Sequence, residues 1–195
     1  MTLLVGVILA AGSAERMGEP KQLMIYHEKP LLQHVIDAAE VSQLDQVVVV
    51  TGASADLVEA SIHLRTAVTV RNPEPDRGNM SSLAVGASAA PDADGFVLLM
   101  GDQPDLTTSV IEQMIALWRD RRPWGAVTEY NDRIAHPFLL SSAAVEEAVA
   151  AGGPKLLWRL LAEDDTGRVV RLATGDAAPI DVNTPDDFRR LDRAP

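Results

Sequence analysis

The chain has 195 residues, 47% of them apolar and 23% charged, which suits one domain over 1–195 with a sizeable core and excludes a disordered chain. It holds no cysteine and carries a formal charge of −11, so thiol chemistry is out, any metal must sit on oxygen or imidazole, and no nucleic-acid partner is expected. No apolar run approaches the roughly 20 residues that span a bilayer, and no basic region precedes the first apolar run, so a cytoplasmic address without membrane contact is expected.

In chain order, apolar β-branched runs at 3–9, 46–51, 67–71, 96–100 and 124–130 read as strands. Between them, helical spacing marks 31–41 after Pro30, 56–64 after Ser54, 82–90 and 108–121. Strand and helix in turn predict an α/β fold with a mainly parallel sheet and helices on both faces. The last third is less regular. Residues 137–140 and 169–172 read as short strands and 143–151 and 155–161 as helices, a small antiparallel addition with a flap. A further short strand is expected over 180–184, and Thr184-Pro185-Asp186-Asp187 opens a closing helix that runs to about Leu191. Arg119, Arg121 and Arg122 fall at a helix end, where cations suit the macrodipole, and read as a solvated turn.

Ligands of open parallel sheets bind beyond the carboxyl ends of the strands. The first such loop runs Leu9-Ala10-Ala11-Gly12-Ser13-Ala14-Glu15-Arg16-Met17-Gly18-Glu19-Pro20-Lys21. Its small residues leave backbone amides open to a ligand, Gly12 and Gly18 can take positive φ, and Arg16 and Lys21 add a planar fork and a point charge for a triphosphate. The loop is neither a Walker loop, which needs Gly-Lys-Ser/Thr, nor a dinucleotide fingerprint, since Gly12 has no glycine two residues on.

Gly101-Asp102-Gln103-Pro104 follows the fourth strand, so the Asp102 carboxylate emerges beside that loop, a position suited to magnesium. Alternation over 180–184 puts Asp181 and Asn183 on one face, and either can complete the metal's oxygen ligands. The loop 72–82, with Asn72, Gly78, Ser81 and Ser82, leads into a helix whose amides and hydroxyls suit a base, sugar or phosphate and also serve as caps. His27, His34, His63 and His136 show no metal spacing, while His136, beside Pro137, is a candidate for the acceptor pocket.

Leu9-Ala10-Ala11-Gly12 through Arg16-Met17-Gly18 to Pro20-Lys21-Gln22-Leu23 resembles the signature of the MobA-like NTP transferases, and Gly101-Asp102-Gln103-Pro104 resembles their metal-aspartate motif. Asn72, Gly78, Ser81-Ser82-Leu83 and Asp181-Val182-Asn183-Thr184-Pro185 match further blocks of that family. Leu-Ala-Ala-Gly together with Gly78-Asn79-Met80-Ser81-Ser82 is closer to the molybdenum cofactor cytidylyltransferases than to the guanylyltransferases, which usually have Leu-Ala-Gly-Gly. The chain departs from the pattern at Ile134-Ala135-His136-Pro137, where relatives often have a glycine before the His/Asn-Pro pair, and at Asn183, where aspartate is frequent.

The resemblance implies a three-layer Rossmann-like domain that transfers a nucleoside monophosphate, from CTP or from GTP, to the phosphate of a molybdopterin-type acceptor with release of pyrophosphate. Arg16, Lys21 and Asp102 would be catalytic, with Mg2+ or Mn2+ on Asp102 and on Asp181 or Asn183. The nucleotide would lie against Leu9, Ala10, Ala11, Gly12, Ser13, Arg16, Lys21, Asn72, Gly78, Ser81 and Ser82. Transient contact with a molybdoenzyme or its chaperone is a further expectation. Transfer to another phosphorylated acceptor and a non-catalytic role in molybdoenzyme assembly are the alternatives.

Overall fold

Strand β1 (Leu4–Leu9) is buried along its whole length, because it is central to its sheet and both faces of that sheet are covered. Leu4 and Ile8 enter one apolar cluster, and Val5, Val7 and Leu9 enter the other, as the period of two requires. The computed structural model describes residues 2–12, 20–151 and 156–191. A single 3-10 turn at Lys21–Leu23 precedes a two-stranded antiparallel hairpin, β2 (Ile25–Tyr26) and β3 (Lys29–Pro30). Helix α1 (Leu31–Val41), β4 (Gln46–Thr51), α2 (Ala55–Ser61), β5 (Val68–Arg71), α3 (Asn79–Ser88), β6 (Gly95–Met100), α4 (Thr108–Arg121) and β7 (Gly125–Glu129) then alternate as expected. They are followed by β8 (Ile134–Ser141), α5 (Ser142–Ala151), α6 (Leu156–Ala162), β9 (Val169–Ala173) and α7 (Pro185–Leu191).

The large sheet has seven strands in the order β5-β4-β1-β6-β8-β7-β9. Strand β8 is antiparallel to both β6 and β7, while β1, β4, β5 and β6 pair in parallel, as do β7 and β9. Every strand except β8 therefore points the same way. Helices α1, α2 and α4 supply one apolar layer, with Leu32, Val58 and Ile111 among the buried residues, and α3, α5 and α6 supply the other, with Leu83, Val145 and Leu161. The fold is thus a three-layer, Rossmann-like α/β arrangement with a small antiparallel element in the C-terminal third, as read from the sequence.

Several boundaries shift, and the strand expected over 180–184 is absent. Helix α3 starts at Asn79 rather than at residue 82, and α2 ends at Ser61 rather than at residue 64. Residues 180–184 form no strand; Val182 donates one backbone hydrogen bond to the Asp102 carbonyl at 3.1 Å and its side chain is fully buried with Leu31 and Leu191. This segment is a strap held by one buried side chain and a few polar contacts. Among the described residues no helix is long and apolar enough to cross a membrane.

Candidate active site

The chain leaves β1 toward β4 and β5 on one side of the sheet and returns to place β6 on its other side. Such a reversal opens a crevice beyond the strand ends, because the connecting loops part there. A cleft of about 360 Å³ lies at that point, lined by Leu9, Ala11, Gly12, Lys21, Gln22, Gly78, Ser82, Met100 and Asp102 among others.

Its first wall is residues 9–12. Ala10 donates its amide to Val50 O at 2.9 Å, which commits that N–H to the sheet, so the expectation that it serves a phosphate is corrected. Ala11 is buried and Gly12 exposed. Positive φ among the described glycines falls at Gly78 (83°), Gly167 and Gly175, so the freedom that Gly12 offers is not used here. Ser13, Arg16 and Gly18 lie outside the described residues. Gly52, from the loop after β4, packs against the same wall so closely that a Cβ there would stand 2.3 Å from the Ala11 carbonyl oxygen.

Gln22 was given no role from sequence, yet its side chain fixes this wall. Buried to 3% exposure, it donates from Nε2 to Ala10 O at 3.1 Å and to Gly12 O at 2.9 Å. The 3-10 turn that carries Gln22 also carries Lys21. The two neighbours divide the work, one side chain holding the loop and the other reaching across the cleft.

Lys21 pairs through its ammonium with Asp102 Oδ2 and donates to Asn183 Oδ1 at 2.7 Å. Asp102 is nearly buried, and its Oδ1 has no hydrogen-bond partner among the described residues. Asp181 accepts a hydrogen bond from Gln103 Nε2 at 2.8 Å, and Gln103 is itself 1% exposed. Burial, reinforced by the charge of Asp102, raises the Asp181 carboxyl above the usual range, against the opposing pull of Gln103, Arg133 and Lys21. Asp105 fastens the same strap by accepting from the Ile180 amide at 3.1 Å, and burial raises its carboxyl too. The structure thus gathers Lys21, Asp102, Asp181 and Asn183 from the β1 loop, the β6 loop and the strap, although they span more than 160 positions of sequence.

The donor set fits a small divalent cation. Asp102 Oδ1 is a buried, orphaned carboxylate oxygen, and a hard ion prefers such oxygens. Among the described residues no group of three or more His, Asp or Glu could hold a metal, and those of this site offer two carboxylates and an amide oxygen. Magnesium, which keeps waters and substrate phosphates as ligands, suits so sparse a site.

Another wall of the cleft is the loop before α3. Gly78 takes φ 83° immediately ahead of the helix, and Ser82 is buried at the cleft wall. Asn72 and Ser81 sit behind that wall. Asn72 donates from Nδ2 to Ser81 Oγ at 2.8 Å and Ser82 Oγ at 3.0 Å, and its Oδ1 accepts from the Glu74 amide at 2.9 Å. The polar groups of Asn72 are therefore engaged in shaping the loop. His136 stands at the level of Met100, since Phe138 pairs with Leu98 in the antiparallel register. Its ring stacks on Phe138 at 4.1 Å, and burial pushes its pKa down to about 4, so it is neutral near pH 7.

Residues 6–169 match the model of the MobA-like NTP transferase domain, and the chain belongs to that family. Such a protein is a nucleotidyltransferase by family, built on the fold just described. Purine catabolism protein PucB of Bacillus subtilis is 28% identical over 98% of this chain and 97% of its own. Nicotine blue oxidoreductase of Paenarthrobacter nicotinovorans is 30% identical over 76% of this chain and 75% of its own. Molybdenum cofactor guanylyltransferase of Xanthomonas euvesicatoria is 27% identical over 95% and 93%. Among solved structures, Rv0371c of Mycobacterium tuberculosis superimposes with a TM-score of 0.88 at 33% identity over 99% of both chains, and its complex with manganese with 0.84 at 31% over 100% of both.

Proposed function

We propose that this chain is a magnesium-dependent molybdenum cofactor cytidylyltransferase of the cytoplasm. The observation that carries the reading is the meeting of Lys21 with Asp102 and Asn183 at the mouth of a cleft closed by a small-residue loop. An acceptor phosphate oxygen attacks the α-phosphorus of CTP in line, the bond from that phosphorus to the bridging oxygen breaks, and pyrophosphate leaves. The acceptor is its own nucleophile, so the protein's work is positioning and neutralisation of charge. Lys21, with Arg16 from the first loop, holds the triphosphate and the departing pyrophosphate. Asp102 would hold magnesium together with Asp181 or Asn183, and the bound ion would neutralise charge on the phosphates. Leu9, Ala11, Gly12, Gly78 and Ser82 line the space for the nucleotide.

The relative named as a guanylyltransferase supports a second reading with GTP as donor. Pyrophosphate release, measured for each nucleoside triphosphate with magnesium and with or without molybdopterin, separates the two. Release that depends on CTP and molybdopterin is the expected result, and no release with any triphosphate would mean a non-catalytic role in cofactor assembly. Lys21→Ala and Asp102→Ala are each expected to lower turnover by about 10²-fold or more with the fold retained, since charge stabilisation at the reacting centre is worth that much. Wild-type rates in either variant would remove it from the machinery.

A further inference from the structure

Lys21 pairs with the very oxygens that a divalent ion needs. Its ammonium pairs with Asp102 Oδ2 and reaches Asn183 Oδ1, two of the three side chains available as ligands. The remaining carboxylate oxygen, Asp102 Oδ1, is buried and has no hydrogen-bond partner among the described residues. The Asp102 side chain is only 8% exposed and that of Lys21 18%, so an ion that is to reach the carboxylate comes close to the ammonium paired with it. It must either displace that cation or sit beside it, and repulsion between like charges is poorly screened where water is scarce.

We infer that Lys21 acts as a gate on the metal site, shutting out the bare divalent ion and admitting it only together with the triphosphate. A lysine can play this part because its charge is a point on a flexible stem with three movable donors. A triphosphate supplies Lys21 with anionic oxygens nearby, and once the ammonium swings to them, Asp102 and Asn183 are released. The carboxylates of Asp102 and Asp181 then act on the incoming ion without a counter-cation between them. Nucleotide and metal therefore strengthen each other's binding, and the coupling is reciprocal by linkage. The orphaned Oδ1 fits this arrangement, since the lysine satisfies one oxygen of the carboxylate and leaves the other for the ion. This inference rests on the reading of the cleft as a metal–nucleotide site.

The probe is Mn2+, followed by electron paramagnetic resonance of the free ion, alone and with a non-hydrolysable CTP or GTP analogue. The wild-type protein is expected to bind bare Mn2+ weakly and Mn2+ with the analogue well. Lys21→Met is expected to bind bare Mn2+ about tenfold more tightly than wild type and the Mn2+–analogue pair more weakly, a reversal of sign that loss of structure would not produce. Lys21→Gln, polar and uncharged, should repeat both changes. Adding Asp102→Asn to Lys21→Met should abolish the gain. A Lys21→Met or Lys21→Gln protein that binds bare Mn2+ no better than wild type overturns the gate, as does a gain that survives Asp102→Asn. If wild type binds no Mn2+–analogue pair, the metal–nucleotide reading itself fails, a result distinct from failure of the gate alone.

Discussion

At Gly52 one methyl group decides the shape of the first loop. A Cβ there would lie 2.3 Å from the Ala11 carbonyl oxygen, a backbone atom that cannot rotate away. Gly52→Ala is therefore expected to cost about 1–3 kcal/mol of stability, as overpacking does, and to weaken nucleotide binding by moving residues 10–12. Denaturant melts and titration with a nucleotide analogue check both, and a variant unchanged in either would show that the loop gives way freely. At this scale the sequence was informative wherever chemistry follows from residue type. Lys21, Asp102, Asp181 and Asn183 could be singled out because a cation, acids and an amide at strand ends suit a polyphosphate and its metal. Gln22 and Gln103 could not, because a glutamine announces nothing until its partners are known. Their partners, Gly12 and Ala10 for one and Asp181 for the other, are set by the packing of loops distant in sequence.

Helix α3 shows how an element is brought to the site. Gly86 faces the sheet, where a Cβ would come within 2.5 Å of Val7 and 3.1 Å of Val50, both stiff and fully buried side chains. The absent side chain lets the helix lie close to β1 and β4 and brings Gly78 and Ser82 to the cleft. Gly86→Ala gains up to about 1 kcal/mol of helix propensity, but the clash is expected to outweigh it and leave the protein about 1–2 kcal/mol less stable. A raised denaturation midpoint would refute that balance. Long periodic elements were legible to the residue, as with α1 and α4. The β2–β3 hairpin was not, since strands of two residues carry no period. Strap 180–184 misled for a related reason: its alternation of apolar and polar residues comes from Val182 burying itself between Leu31 and Leu191, without a neighbouring strand.

For the whole molecule, acid stability has a local origin at Glu40. Its carboxylate, 1% exposed, accepts the amides of Arg65, Thr66 and Ala67, each at 2.8 Å, and so ties α1 to the approach of β5. Burial works to raise its pKa, but these hydrogen bonds prevail and hold it below the usual carboxylate range. A depressed acid pKa means that the unfolded chain takes up the proton first, so this contribution is present above about pH 4.3 and is lost as pH falls through the lower, folded value. Urea melts should show the gap between wild type and Glu40→Gln narrowing from pH 6 to pH 3.5. A gap independent of pH would place the acid sensitivity elsewhere.

The strap also sets when in the life of the chain the protein becomes competent. Asp181 and Asn183 reach the Asp102 loop and Lys21 from a segment that follows the last strand of the seven-stranded sheet, and they are held there by Val182, by Asp105 and by the short helix α7. The sheet owes nothing to that tail for its pairing, so the two can come apart separately. The Val182 amide, bonded to the Asp102 carbonyl, should exchange its hydrogen with solvent sooner than the amides of β1, and slow markedly once metal and nucleotide are bound. A nascent or clipped chain ending before residue 179 would then be a folded scaffold that binds poorly, inert until its last stretch is in place.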